Sequence, residues 1–283
     1  MNPACLQHCL TEAERVHFEE QGYLAVPGAL PSDLVVHLVD AVDRLHAQDQ
    51  EERGLDPTIS HNHFDFIGRN AVFLKPLDWP ATFPKVWGIL GWHIQLYHTH
   101  FTVTPPLAEE ARDQPKRLGW HQDSGRLNLE LEGNPRPRVS VKVAFFLTDC
   151  SMADRGNFHV IPGSHLHNEL GMPADGISDP EGATPIITAP GDAVIFDRRI
   201  WHSGGRNISE VTRKVLFYGY SYRWLKPRDD MTVDHVIGNC DPIRQQLLGS
   251  GPSGGHGFSS PKEEDVPLKT WIAEHLGEEA VVP

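Results

Sequence analysis

The stretch "RVSVKVAFFLTD", residues 138–149, alternates with a period of two. Val139, Val141, Val143, Phe145 and Leu147 fall on one side of an extended chain, with Ser140, Lys142, Ala144 and Phe146 on the other, because successive strand side chains point to opposite faces. The pattern predicts a β-strand in a sheet with one well-buried face. Outward from it, residues 94–103, "IQLYHTHFTV", alternate more loosely, and further short strands are expected at 157–161, 192–196 and 214–222. Turn residues bound each of them, as in "IPGSH", "APGD" and "HSGGRN", where Gly, Pro and Asn supply the backbone angles that end a strand. Short strands crowded into the middle of a chain point to a barrel or sandwich of the jelly-roll kind.

Helical signals lie before and after these strands. Thr11 with Glu14 three residues on forms a capping box, and Gly22 ends that helix ahead of an apolar strand at 23–26. Leu34, Val35, Leu38, Val42 and Leu45 recur at helical spacing, so 32–48 is expected to be an amphipathic helix packed outside the sheet. Residues 53–70 show no clear period and read as a loop facing the site, and the Gly-, Pro- and Asp-rich stretch 169–185 as a surface insertion or lid. The break "GSGPSGGHGFSS" precedes a last helical piece at about 262–276. The expected organisation is one domain over 1–283: helical support at 10–50, a jelly-roll core at 94–224 and a C-terminal extension at 225–283.

With 283 residues the chain can bury a sizeable core, and 39% hydrophobic against 22% charged residues leaves no global disorder signal. A formal net charge of −13 argues against nucleic acid as a partner, since phosphate backbones are held by clustered Lys and Arg. No basic, apolar leader and no bilayer-length segment is present. A cytoplasmic protein without a membrane partner is expected. Cys5, Cys9, Cys150 and Cys240 lack a second pair at zinc-site spacing and read as reduced thiols.

The chemistry concentrates in "GWHQDSGRL", residues 119–127. In a strand, His121 and Asp123 project to the same side and can reach one ion together. Alone, the pair fits two ordinary polar residues at a strand end equally well. "DAVIFDRRIWHSGGRN", residues 192–207, supplies a third donor, His202, on a strand able to pair back toward the first. Two histidines and one carboxylate make the facial triad that leaves positions open on non-haem Fe(II). Arg213, on the next strand, sits in a mostly apolar run. An inward guanidinium there needs an anion, either a ligand carboxylate or a protein acid.

In combination and order, these motifs resemble the phytanoyl-CoA dioxygenase family of Fe(II)- and 2-oxoglutarate-dependent oxygenases, built on a double-stranded β-helix. The matching segments are "LTEAERVHFEEQGYLAVPGAL", "WHQD", "RGNFHVIPGSH", "PGDAVIFDRRIWHSGGRN" and the arginine beyond it, so the likeness covers most of residues 10–224. The resemblance implies that His121, Asp123 and His202 hold the iron and that Arg213 binds the distal carboxylate of 2-oxoglutarate. Phe145 falls where many relatives place a tryptophan lining the co-substrate pocket. Where many carry a lysine in the strand before the first ligand, this chain offers Thr102 or Thr104. Asp123 itself disfavours halogenation, which in relatives goes with a small residue at that position.

The implied reaction uses O2 and 2-oxoglutarate and hydroxylates a C–H bond of a small metabolite or natural-product intermediate, releasing succinate and carbon dioxide. Desaturation, epoxidation or cyclisation are outcomes of the same class. A cupin-like enzyme working without 2-oxoglutarate would have no need of Arg213. His165 reads as a turn residue rather than a fourth ligand, His98 and His100 as core or surface histidines, and Lys142 as a solvated lysine. Substrate contacts are expected from 60–69, 126–138 and 169–185. The oligomeric state is not encoded in any of these motifs.

Overall fold

A computed structural model describes residues 1–281. Helix α1, Glu12–Gln21, starts at the expected capping box: Thr11 Oγ1 accepts from Glu14 N–H at 3.2 Å, and Thr11 N–H donates to Glu14 Oε2 at 3.0 Å. Gly22 ends it at φ 82°. A Cβ there would come within 2.5 Å of His165 Nδ1, so the position demands glycine both for backbone angle and for close approach.

Helix α2 runs Ser32–Arg53, beyond the residue 48 expected. Its last turn is too polar to show a period, but Asp49 is buried there by Arg69, whose guanidinium donates to both carboxylate oxygens, at 2.6 and 3.0 Å. The further α-helices longer than four residues are α3 (Phe83–Leu90), α4 (Gly125–Glu130), α5 (Pro242–Leu247) and α6 (Pro267–Leu276).

Among the described residues, nine strands build two antiparallel sheets: β1 (Tyr23–Val26), β2 (His61–Phe64), β3 (Ile94–Thr104), β4 (Ser140–Phe146), β5 (Phe158–Val160), β6 (Thr184–Ile186), β7 (Ala193–Asp197), β8 (His202–Gly204) and β9 (Arg213–Tyr222). The large sheet has the order β1-β7-β4-β9-β3-β2 and the small one β6-β5-β8. Within 53–70 the unexpected element is β2, which pairs with the outer edge of β3. Its four residues, His-Asn-His-Phe, are too few and too polar to carry an alternation.

Two apolar clusters lie on the two faces of the large sheet. On one face Val141, Val143, Phe145, Leu216, Tyr218 and Tyr220 pack under α2 and α3, against Leu38, Val42, Phe83 and Val86. On the other, Ala144, Phe146, Val194, Phe196, Val215 and Phe217 meet Phe158 and Val160 of the small sheet. The expectation of one buried face is therefore corrected: all seven residues of β4 are buried, because helices cover one side of the strand and the second sheet covers the other. Beyond β9, α5 docks at the end of β3, where Gln246 Nε2 donates to the carbonyls of Trp92 and Ile94 at 3.0 and 3.1 Å. No helix among the described residues is long and apolar enough to cross a membrane.

Candidate metal centre and cavity

His121 and His202 face each other across a single antiparallel bridge. The N–H of each donates to the carbonyl of the other at 3.0 Å, which sets both side chains on one side of the pair. His121 Nδ1 lies 2.8 Å from Gly119 O, and His202 Nδ1 lies 2.9 Å from Ile200 O. A carbonyl only accepts, so each Nδ1 carries the proton and each Nε2 keeps its lone pair for the cavity.

Asp123 is placed by its own N–H, which donates to Arg198 O at 2.9 Å. Its Oδ2 lies 3.9 Å from His202 Nε2, and one donor atom from each of the three residues falls within 4.8 Å of the others. Immediately after it, Ser124 takes a left-handed φ of 69° and turns the chain into α4. Non-glycine residues adopt that conformation rarely, and it recurs at functional sites.

The donors suit a divalent cation. Burial works to raise the Asp123 pKa, but Lys142, His202 and His121 together hold the carboxyl well below the usual range. Burial pushes His202 down to about 4, so at neutral pH the imidazole is in the unprotonated form that ligates. Asp123 Oδ2 accepts no hydrogen bond. Lys142 Nζ is 2.8 Å away, off the direction of a well-aligned hydrogen bond. With Lys142 as its cationic partner, the carboxylate still stands beside two imidazole lone pairs, a donor set that suits a divalent cation.

The triad opens into a cavity of about 580 Å³ walled by the inner faces of β2, β3, β4 and β9. Arg213 lies in its wall at 4% exposure and forms no ion pair with a carboxylate among the described residues. Its Nε has no hydrogen-bond partner, and its guanidinium lies 5.7 Å from the centre of the Phe146 ring. Gly156, at φ 72°, makes room for it, since a Cβ there would be 2.8 Å from Arg213 Cδ. Thr104 is Arg213's partner in the β3–β9 register and also lines the cavity, its Oγ1 2.9 Å from Ser60 Oγ.

Other expectations need correction. Phe145 does not line the cavity; it lies in the helix-covered cluster with its ring 5.7 Å from Tyr218. Its neighbour Phe146 takes the inner side, as a one-residue offset in a strand reverses the face. Lys142 is not solvated. It is 7% exposed and points inward at Asp123. His98 and His100 also line the cavity, whereas His165 sits in its turn, Nε2 donating to Glu19 O at 2.9 Å.

Of the three candidate substrate segments, only the first reaches the cavity, through Ser60, Asn62 and Phe64. The 169–185 stretch instead braces the approach to His121: Trp120 Nε1 donates to Asp179 Oδ1 at 2.7 Å, and Arg117 Nε to Ser178 O at 2.9 Å.

Fold and site together define a double-stranded β-helix with a two-histidine, one-carboxylate centre. The phytanoyl-CoA dioxygenase family model matches residues 18–215, and the chain belongs to that family. Dioxygenase trt7 of Aspergillus terreus is 30% identical over 121 residues, 40% of this chain and 38% of that protein. Dioxygenase andF of Emericella variicolor is 33% identical over 134 residues, 46% of this chain and 45% of that protein. The chain thus spans less than half the length of these relatives. The crystal structure of HygX from Streptomyces hygroscopicus, with nickel and 2-oxoglutarate bound, matches with a TM-score of 0.60 at 18% identity, over 77% of this chain and 89% of that one. EctD from S. alaskensis with bound Fe matches at 0.58 and 20%, over 77% and 79%. At such identities the likeness establishes the fold.

Proposed function

We propose that this protein is an Fe(II)- and 2-oxoglutarate-dependent dioxygenase that hydroxylates a C–H bond of a small metabolite or natural-product intermediate, within a single catalytic domain. His121, Asp123 and His202 hold the iron, and Arg213 binds the distal carboxylate of 2-oxoglutarate with Thr104 beside it. The observation that carries the reading is Arg213, a buried guanidinium without a protein carboxylate, in the wall of the same cavity as the triad. An isolated buried charge is strongly disfavoured, and a bidentate carboxylate is its natural complement. A metalloenzyme of similar fold that used no 2-oxo acid would gain nothing from it.

Iron supplies the redox chemistry by which dioxygen, 2-oxoglutarate and a substrate C–H bond become alcohol, succinate and carbon dioxide. The chain's own part is positional. The carbonyls of Gly119 and Ile200 fix the two imidazoles with Nε2 facing inward. Phe158, Phe196 and Phe217 line the cavity and keep much of its wall apolar. His121 is the exposed member of the triad, whereas Asp123 and His202 are buried.

The test is anaerobic addition of Fe(II) and then 2-oxoglutarate to the metal-free protein, read by visible absorption. A charge-transfer band is expected in the wild type, absent from His121→Ala and requiring far more co-substrate in Arg213→Ala. Iron binding without any band would remove 2-oxoglutarate from the assignment.

A further inference from the structure

The chain is strongly acidic, yet the charged residues lining the cavity are one carboxylate, Asp123, and three cations, Lys142, Arg213 and Arg228. Accepting the function proposed above, Asp123 serves the iron and Arg213 the co-substrate. Lys142 and Arg228 are left over. Lys142 faces Gly219 in the β4–β9 register, and Gly219 faces His98 in the β3–β9 register. A Cβ at 219 would come 3.5 Å from Lys142 Cγ and 3.1 Å from His98 O, so glycine leaves that side of the sheet to the lysine stem. The ammonium carries three donors, yet makes no hydrogen bond among the described residues beyond its off-axis contact with Asp123. Once a cation shares the Asp123 charge, that carboxylate no longer neutralises the lysine.

Arg228 stands at the rim on a fixed backbone. Its N–H donates to Tyr97 O at 2.8 Å. The next residue, Asp229, accepts from Thr99 N–H and Oγ1 at 2.5 and 2.7 Å and pairs with His98 Nδ1 at 2.7 Å. The Arg228 guanidinium lies 5.9 Å from the Phe64 ring centre and forms no ion pair with a carboxylate among the described residues. Two aromatic residues of the same wall, His100 and Phe217, stack on each other at 4.3 Å with 7° between planes. Arg213 lies six positions from Gly219 along β9, about 20 Å of strand, so the backbone positions carrying the two cationic poles are well separated.

We propose that Lys142 and Arg228 bind a carboxylate of the substrate, and that the molecule oxidised is a small organic acid whose flat or apolar body lies along Phe64, His100 and Phe217. The rival source of the anion is the metal-side carboxylate of 2-oxoglutarate, which the test separates.

Protein loaded anaerobically with Fe(II) and 2-oxoglutarate is titrated calorimetrically with phenylacetate and, separately, phenylacetamide. The acid is expected to bind about tenfold or more tightly than the amide, the scale of one charge-assisted contact. Lys142→Met and the rim variant Arg228→Gln should each reduce that preference severalfold, and Arg228→Gln should leave the 2-oxoglutarate requirement of the visible band within twofold. Equal behaviour of acid and amide in the wild type, whether both bind or neither does, overturns the proposal. So does a preference that survives both substitutions, or a Lys142→Met protein whose defect lies in 2-oxoglutarate binding. Failure of the band itself would instead count against the assigned co-substrate, since the acid–amide difference is read independently by heat.

Discussion

Asp123 and Asp197 are both buried carboxylates beside buried cations, and their surroundings could hardly differ more. Asp197 is saturated: it accepts from Arg199 N–H, Nε and Nη2 at 2.9, 2.9 and 2.7 Å, and from Arg138 Nε at 2.6 Å. Asp123 has a single ion-paired cation, Lys142 at 2.8 Å from Oδ2, and shares a 4.8 Å cluster of donor atoms with two imidazoles. Saturation marks a carboxylate that holds the fold, and incompleteness marks one reserved for a ligand. The arginines differ in a similar way: Arg198 donates through both terminal nitrogens, to Asn128 Oδ1 and Pro137 O, whereas Arg213 makes no ion pair with a carboxylate among the described residues and lines the cavity.

Substitution should drive the two aspartates apart. Asp123→Asn is expected to lower turnover by about a thousandfold or more, consistent with the large share of catalysis a bound metal supplies, and to erase the charge-transfer band. Metal-free stability should fall less, because the substitution removes the charge partner of one cation, Lys142, rather than of the two guanidinium groups that Asp197 holds. Asp197→Asn should do the reverse, costing about 3–5 kcal/mol by leaving guanidinium groups uncompensated, with the band retained per folded molecule. Urea unfolding and the spectrum, measured on both variants, decide; equal stability losses would break the contrast.

The pH dependence of stability sharpens it. Burial works to raise the Asp197 pKa, but Arg199 and Arg138 overcome it and hold the group below its ordinary value. A depressed folded-state pKa contributes stability that is present above the unfolded value, about 3.9, and lost as pH falls through the folded one. The urea midpoint of the wild type should therefore drop below about pH 4, and that of Asp197→Asn should drop less. A parallel decline in the two proteins would remove Asp197 from the acid transition.

A smaller effect is expected at Arg213→Leu, where the 2-oxoglutarate concentration for half-maximal band intensity should rise about 10- to 100-fold, the scale of hydrogen bonds to a charged group. Smallest is Phe145→Leu. Because that ring packs under the helices, the co-substrate requirement should stay within twofold while stability falls by about 1 kcal/mol. A clear loss of 2-oxoglutarate binding would return Phe145 to the cavity.

Much of this was legible in the sequence where spacing alone settles geometry. The H-x-D pair, the later histidine and the arginine in an apolar strand could be located without coordinates, and the capping box and apolar helical stripe placed α1 and α2. Lys142 and Phe145 were misread for one shared reason. The alternation of β4 was clear, but which of its faces held the cavity depends on what covers each side, and that is a tertiary fact. The pattern did hold a clue: Phe145 keeps company with Val141 and Val143, the run that helices cover, while Lys142 shares a face with Phe146. Arg228 gave no signal, because the hydrogen bonds fixing its backbone reach across more than a hundred residues of chain.

The strand order has a consequence for how the molecule is made. β9 lies between β3 and β4 in the large sheet, yet it is the last strand among the described residues. During synthesis both of its neighbours leave the ribosome with an unpaired edge, and β1 waits for β7 in the same way. Such long-range pairings slow folding and prolong the exposure of strand edges. A ribosome stalled before residue 213 would release a chain with its three metal donors already translated but no central strand to unite the sheet around them.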